Sequence, residues 1–317
     1  MPNAKCQMPN ERYKVALIII YNHRYDDNIE RIENIYNDRF ANIYHLVPFY
    51  NGTRLNVISV YDNSYYFQGY VAQGFKSFFN ESYTHYIFIA DDLMLNPLVN
   101  QYNYLETFRL NQKSCFIPGF ITFHSLDQWW PRVFDAFNWK IDLDGLEVKN
   151  QLPDYDIALQ CFAKFNLEIK PMNFAQIGKK SLNIKNALKF IFKNKGLFFL
   201  FIKSFSINRS YSLPYPLVGS YSDIFIVSST SISQFCHYCG VFSATKLFVE
   251  VAIPTALVLS SSDIITENDL EFKGKALWIK KDYKELVKYK QSINKLIAGF
   301  PLGYLYLHPI KLSKWTD

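Results

Sequence analysis

A chain of 317 residues is long enough to bury a large core, either in one large domain or in two fused ones. Its 49% hydrophobic content is ordinary for a globular protein, while 18% aromatic residues is high and 12 glycines is low. Five cysteines, an odd number spread over a long chain, argue against a disulfide framework, and a net charge of +6 points to acidic partners only where it is clustered. Residues 1–12 are polar and lack the apolar core of a signal peptide, and no apolar run is long enough to cross a bilayer. These features together lead to the expectation of a cytoplasmic protein.

The run Val15 to Tyr21 reads as a strand ending in Asn22-His23-Arg24. A helix follows over 26–38, with Ile29, Ile32, Ile35 and Tyr36 at helical spacing. Further strands are expected over 42–49 and 56–61, the latter leading into Asp62-Asn63-Ser64. A helix over 68–79 contains Gly69 and Gly74, and the strand Tyr86-Ile87-Phe88-Ile89-Ala90 then runs into Asp91-Asp92. Strands alternating with helices predict right-handed crossovers and a mainly parallel sheet. Ligands of such sheets bind beyond the carboxyl ends of the strands. Two adjacent acids emerging there suit a hard divalent cation bound in turn to phosphate, although a turn or helix cap would also favour them. If the strands are neighbours, Asn22 and Asp62 reach the same crevice as acceptors for a base N–H or a ribose hydroxyl.

Beyond Pro97 the pattern predicts a helix over 99–110, a strand over 115–123 and a short helix over 154–165. Trp129, Trp130 and Trp139 suit either sugar stacking or core packing. From Ile169 to Ser222 there is no acidic residue, yet there are eight lysines and Arg209. Within that stretch Lys185, Lys189 and Lys193 share one helical face, so 179–209 reads as a basic amphipathic segment, suited either to an anionic membrane surface or to a solvated face. Its aromatics sit in an apolar block, which argues against nucleic acid. A loop over 217–223 leads into a strand, with Asp223 at the junction. A helix is expected over 243–253, stopped by Pro254, with Glu250 as its one acid. A lone acid among apolar residues either finds a partner or becomes a proton acceptor. Cys236-His237-Tyr238-Cys239 has no second pair, and packing is its default reading.

The pieces Ile20-Tyr21-Asn22, Tyr61-Asp62-Asn63-Ser64, Gly69 to Gly74 and Phe88-Ile89-Ala90-Asp91-Asp92 give the first hundred residues a resemblance to GT-A nucleotide-sugar glycosyltransferases, most like the family-2 group. Ala90 stands where the first acid of the usual Asp-x-Asp would be. The resemblance implies an α/β GT-A fold with a nucleotide-sugar-binding half over 1–112 and an acceptor-binding half over 113–317. It implies that Tyr21, Asn22, Asp62 and Asn63 hold the nucleoside, that Asp91 addresses ribose, and that Asp92 and His308 hold Mg2+ or Mn2+. Glu250 matches the centre of a late x-Glu-Asp motif and would serve as catalytic base, with Asp223 as its rival, in an inverting reaction. The expected activity is transfer of a sugar from a nucleoside-diphosphate sugar to a hydroxyl of a glycan, free or lipid-linked, in cell-surface polysaccharide synthesis. Two other classes stay open: a sugar-nucleotide pyrophosphorylase, though the chain lacks glycine just after the first strand, and a non-catalytic sugar-nucleotide-binding protein at the membrane.

Overall fold

The computed structural model describes residues 14–126, 132–172 and 210–316. Strand β1 (Lys14–Ile20) forms because all its side chains from Val15 on are apolar, and they are all but fully buried. Only a strand covered on both faces can satisfy such a run. Ala16, Ile18 and Ile20 enter one core and Val15, Leu17 and Ile19 the other, as alternation requires. Helix α1 (Asp27–Tyr36) covers the second face with Ile29, Ile32 and Tyr36, and β2 (Ile43–Pro48) and β3 (Val57–Val60) then add in parallel on one side of β1. Helix α2 (Gln68–Phe78) covers the other face, and β4 (Tyr83–Ala90) pairs in parallel with β1 on its free side. Gly74 is needed in α2 because a Cβ there would lie 2.6 Å from the Leu46 side chain.

The sheet continues with strands from the later part of the chain. Strand β5 (Met94–Leu95) leaves it to join a separate ladder, while β6 (Cys115–Phe116), β7 (Ile224–Ser228) and β8 (Ile264–Ile265) complete seven strands in the order β3-β2-β1-β4-β7-β6-β8. Four of the six pairings are parallel, and β7 runs antiparallel to both its neighbours. The fold is thus the expected α/β class with a mostly parallel sheet flanked by helices. The two halves divided at residue 112 share this one sheet, joined by β4–β7 pairing and by Phe88 stacked on Phe225 at 4.7 Å. A second sheet of three strands places β10 (Tyr304–His308) between β5, antiparallel, and β9 (Lys273–Ala276), parallel.

Elsewhere local chemistry overrides the expected elements. The helix over 99–110 shrinks to one turn, α3 (Tyr104–Thr107), because Asn96, Asn100 and Asn103 side chains take the N–H groups of Leu98, Tyr102 and Asn100. Such local bonds offer the backbone an alternative to helix. The strand over 115–123 stops after two residues, at the approach to Pro118. Helix α4 (Arg132–Asn138) was not anticipated, whereas α5 (Tyr155–Ala163) follows its Asp154 cap, which accepts from Ile157 N at 2.9 Å.

The helix expected over 243–253 is instead the end of one helix and the start of another. Helix α6 (Ile232–Ala244) ends before Lys246, whose φ of 56° is left-handed, and α7 (Val249–Ser260) begins after it. Pro254 lies inside α7 instead of stopping it. Proline deprives the carbonyl four residues earlier of its helical donor. That carbonyl belongs to Glu250, and it accepts from Ser220 N at 2.9 Å instead. Thr255 Oγ1 also accepts from Val218 N at 3.3 Å, so the loop before β7 is fastened to α7. Two short helices, α8 (Lys280–Lys284) and α9 (Ile293–Ala298), complete the C-terminal part.

Candidate active site

The strand order reverses at β1: β2 and β3 lie on one side and β4 on the other. Crossovers diverging from that point leave a crevice beyond the carboxyl ends of β1 and β4. Asn22 follows β1 and Asp91 follows β4, and Asn22 N donates to Asp91 Oδ1 at 3.4 Å. Asp91 is 8% exposed, and its carboxyl is pushed up to about 7, by burial first and by the neighbouring Asp92 carboxylate second. It therefore braces the floor of the crevice, with Asp92 beside it.

The small sheet brings the last member. Strand β5 begins two residues after Asp92, and its register sets Leu307 opposite Met94. One step further along, His308 arrives at Asp92, and its Nε2 lies 2.9 Å from Asp92 Oδ1 across 216 residues of chain. Ile310 N also donates to the Asp92 carbonyl at 2.6 Å. Asp223 reaches the same spot from the loop before β7, with Oδ1 3.8 Å from His308 Nε2. Its backbone carbonyl accepts from Ala90 N at 2.9 Å, which fixes it against the end of β4. Tyr221 from that loop bonds His308 Nδ1 through its hydroxyl. Burial pulls the His308 imidazole down, yet the Asp92 hydrogen bond and the Asp223, Asp92 and Asp91 charges outweigh it and the net shift is upward. Asp223 is shifted upward, chiefly by burial.

Glu250 sits in the first turn of α7, held through its carbonyl by Ser220. Ser220 is the chain neighbour of Tyr221, so this turn is tied to the loop that carries Tyr221 and Asp223. The expected residues Asp91, Asp92, Asp223 and His308 are thus brought to one region, with Asn22 at its edge, and the Glu250 backbone is fastened to the loop beside it.

The nucleoside group is divided. Tyr21 is fully buried, and its hydroxyl is turned to His45 Nδ1 at 3.1 Å, inside the core. Asp62 lies beyond β3, three strand spacings or about 14 Å along the sheet from β4. Its Oδ2 accepts from Ser243 Oγ at 2.7 Å, and Lys246 Nζ lies 3.7 Å from Oδ1. Gly69 makes room for this contact, since a Cβ there would fall 2.4 Å from Ser243 Oγ. Asn63 caps the next turn by accepting from Tyr65 N at 3.0 Å. Beside Asp62 a cleft of about 570 Å3 is lined by Tyr65, Lys246, Phe248 and Arg132 among others. The Arg132 guanidinium lies 5.0 Å from the Tyr65 ring centre and 4.4 Å from that of Phe248.

Tyr221, Arg132 and Lys246 were not foreseen as site residues. A tyrosine two positions before Asp223 carries no spacing signal, and the cations become visible only once α4 and the α6–α7 turn are folded against Tyr65. Trp139 is 5% exposed and packs edge-on against Tyr215 and Phe242, so it belongs to the core and not to a sugar platform. Trp129 and Trp130, and the basic segment 179–209, lie outside the described residues. Cys236 and Cys239 are free thiols buried in α6, shifted upward by burial.

Among the described residues no group of three or more His, Cys, Asp and Glu side chains is already arranged around one point as a metal cage. The pair Asp92–His308 nevertheless suits a shared cation. Two neighbouring ligand atoms on an octahedral ion with bonds near 2.1 Å are about 3.0 Å apart, close to the 2.9 Å between them. Carboxylate oxygens suit Mg2+ or Mn2+, and the added imidazole favours the transition ion Mn2+ of the two. Tyr221 on the other ring nitrogen holds the orientation of the imidazole that turns Nε2 toward Asp92. Among the described residues, no helix is long and apolar enough to cross a membrane. Comparison with protein-family models, curated proteins and solved structures finds no match to this chain.

Proposed function

We propose that this chain is a metal-assisted glycosyltransferase of GT-A type, taking a sugar from a nucleoside-diphosphate sugar to a hydroxyl of a glycan acceptor in cell-surface polysaccharide synthesis. The observation that carries the reading is the Asp92–His308 contact at the switch point of the sheet, with Asp223 alongside. Acids and an imidazole gathered from both ends of a chain, at the rim where α/β sheets bind ligands, suit a diphosphate held through a cation. When bound there, the cation supplies neutralisation of the charge developing on the departing diphosphate.

The chain's own groups fill the remaining roles. Asp92 and His308 hold the cation, Asp223 completes their side of it, and Asp91 keeps Asn22 and the crevice floor in place. The cleft beside Asp62, toward the β3 edge of the sheet, suits the nucleoside end of an extended sugar nucleotide. Lys246 and Arg132 stand there with aromatic faces for a base. With Asp223 committed beside His308, Glu250 is the better base, accepting the proton of the acceptor hydroxyl in an inverting transfer.

A thermal-shift series of nucleoside diphosphates with and without Mn2+ tests this reading. At a hundredfold excess over Kd, ligand should stabilise the protein by about 2.7 kcal/mol, a shift of several degrees that requires the cation and is absent in Asp92→Ala. An Asp92→Ala protein that shifts like the parent would overturn the assignment. The lack of a ready three-ligand cage among the described residues, and Ala90 ahead of Asp91, favour a second reading as a non-catalytic sugar-nucleotide-binding protein. Slow cation-dependent hydrolysis of a sugar nucleotide by the parent, lost in Asp92→Ala, decides for the enzyme.

A further inference from the structure

Between β9 and β10 the chain turns large apolar side chains outward beside the candidate site. Trp278, Ile279 and Val287 are each 60% or more exposed, and Tyr283 is exposed as well. Ile279, Tyr283 and Val287 are spaced four residues apart through α8 and the turn after it, the spacing of a single helical face. Tyr283 and Val287 also line a groove of about 360 Å3 with Leu286, Pro309, Ile310 and Trp315. Folding gains nothing from water-facing side chains of this size, and a cluster of them marks a surface meant for a partner.

The charges around the patch say which partner. Lys311 and Lys314 stand at the groove itself, and Lys281, Lys284, Lys288 and Lys290 surround the turn, all exposed. Against these six stand Asp282 and Glu285, and Asp282 is occupied in accepting from the N–H groups of Trp278 and Ile279. Lysines ringing exposed tryptophan and aliphatic side chains are the chemistry of a surface that sits in an anionic headgroup layer, with the apolar groups dipping below the phosphates. Nucleic acid would need the lysines but leaves Ile279 and Val287 without a role.

We propose that the face formed by Trp278, Ile279, Tyr283, Val287, Lys311 and Lys314 seats the protein on an anionic lipid bilayer. The groove starts at the candidate site: Ile310 donates to Asp92, Pro309 follows His308, and the Trp278 ring lies 6.1 Å from the His308 ring. A bilayer against this face would therefore lie beside the Asp92–His308 cluster, where an acceptor carried on a lipid could enter. The docking itself needs no sugar nucleotide, so its test is independent of the transfer chemistry.

The test is co-sedimentation of the full chain with phosphatidylglycerol vesicles, and with phosphatidylcholine vesicles for comparison, at low and at high salt. The 179–209 stretch is present in every variant, so any binding it contributes is common to all. Expected is binding to phosphatidylglycerol only, weakening with salt, with an affinity falling about fivefold for each of Lys311→Gln and Lys314→Gln. Val287→Asp, at a water-facing position, should lower it further. Lys113→Gln, an exposed lysine before β6, should leave binding unchanged. Circular dichroism of each variant verifies folding. Absence of vesicle binding, equal binding by parent and groove variants, equal loss in Lys113→Gln, or binding abolished by competing RNA but insensitive to Val287→Asp would overturn the proposal.

Discussion

His45 and His85 illustrate how burial fixes a protonation state. Both are fully buried, and both imidazoles are pulled down to about 4, by burial first. His85 is satisfied as the neutral form, with Nε2 donating to the Ser114 carbonyl at 3.1 Å and Nδ1 accepting from Tyr104 at 3.0 Å. In the unfolded chain the ring takes up a proton at its ordinary value near 6.5. Between about pH 6.5 and 4 the unfolded chain therefore binds more protons than the folded one, and stability falls as pH falls. Each such histidine contributes a slope of up to about 1.4 kcal/mol per pH unit in that window. The raised Asp91 acts in the opposite direction within this window, so the informative quantity is a difference between proteins. His85→Gln should flatten the loss of stability between pH 6.5 and 4 relative to the parent, measured by urea unfolding at several pH values. Parallel curves would show that His85 is not neutral in the fold.

At the scale of elements, a buried side chain of α2 reaches the α6–α7 turn. Gln68 is fully buried, and its Nε2 donates to the Leu247 carbonyl at 2.7 Å across 179 residues. Gln68→Leu keeps the volume but strands that carbonyl, at a cost of about 1–3 kcal/mol, read as a lower midpoint in denaturant with an unchanged m-value. Elements were legible in the sequence wherever burial on both faces wrote continuous apolar runs, as in β1 and β4, or where apolar spacing was regular, as in α1 and α2. They were illegible where tertiary partners decide. Strands β5, β8 and β9 are two to four residues long and exist only through their neighbours. Asparagine side chains dissolved the helix over 99–110, and a carbonyl taken by Ser220 let α7 run through Pro254. In the site, the acids announced themselves by following strands, while His308 was reached through a family resemblance alone. Tyr221, Arg132 and Lys246 carried no local signal because their partners are remote in sequence.

At the scale of the whole molecule, the sheet does not respect a boundary at residue 112. Strand β4 has β1 on one side and β7 on the other, with Ile87, Phe88 and Ile89 buried by residues from both parts of the chain. A fragment ending at residue 112 would expose the β4 edge and one face of Phe88, a template for aggregation. Such a fragment should be insoluble or lack dispersed amide resonances in an NMR spectrum, whereas a stable, well-dispersed fragment would show an autonomous first domain.

The meeting of Asp92 with His308 also places the site in time. During synthesis the carboxylate emerges first, and 216 further residues must follow before the imidazole can reach it. At about 5–20 residues per second, a nascent chain spends roughly ten to forty seconds with its first strands made and the Asp92–His308 pair incomplete. The cluster closes only as the tenth strand slides between the fifth and the ninth, so whatever the cluster does, no unfinished copy can do it.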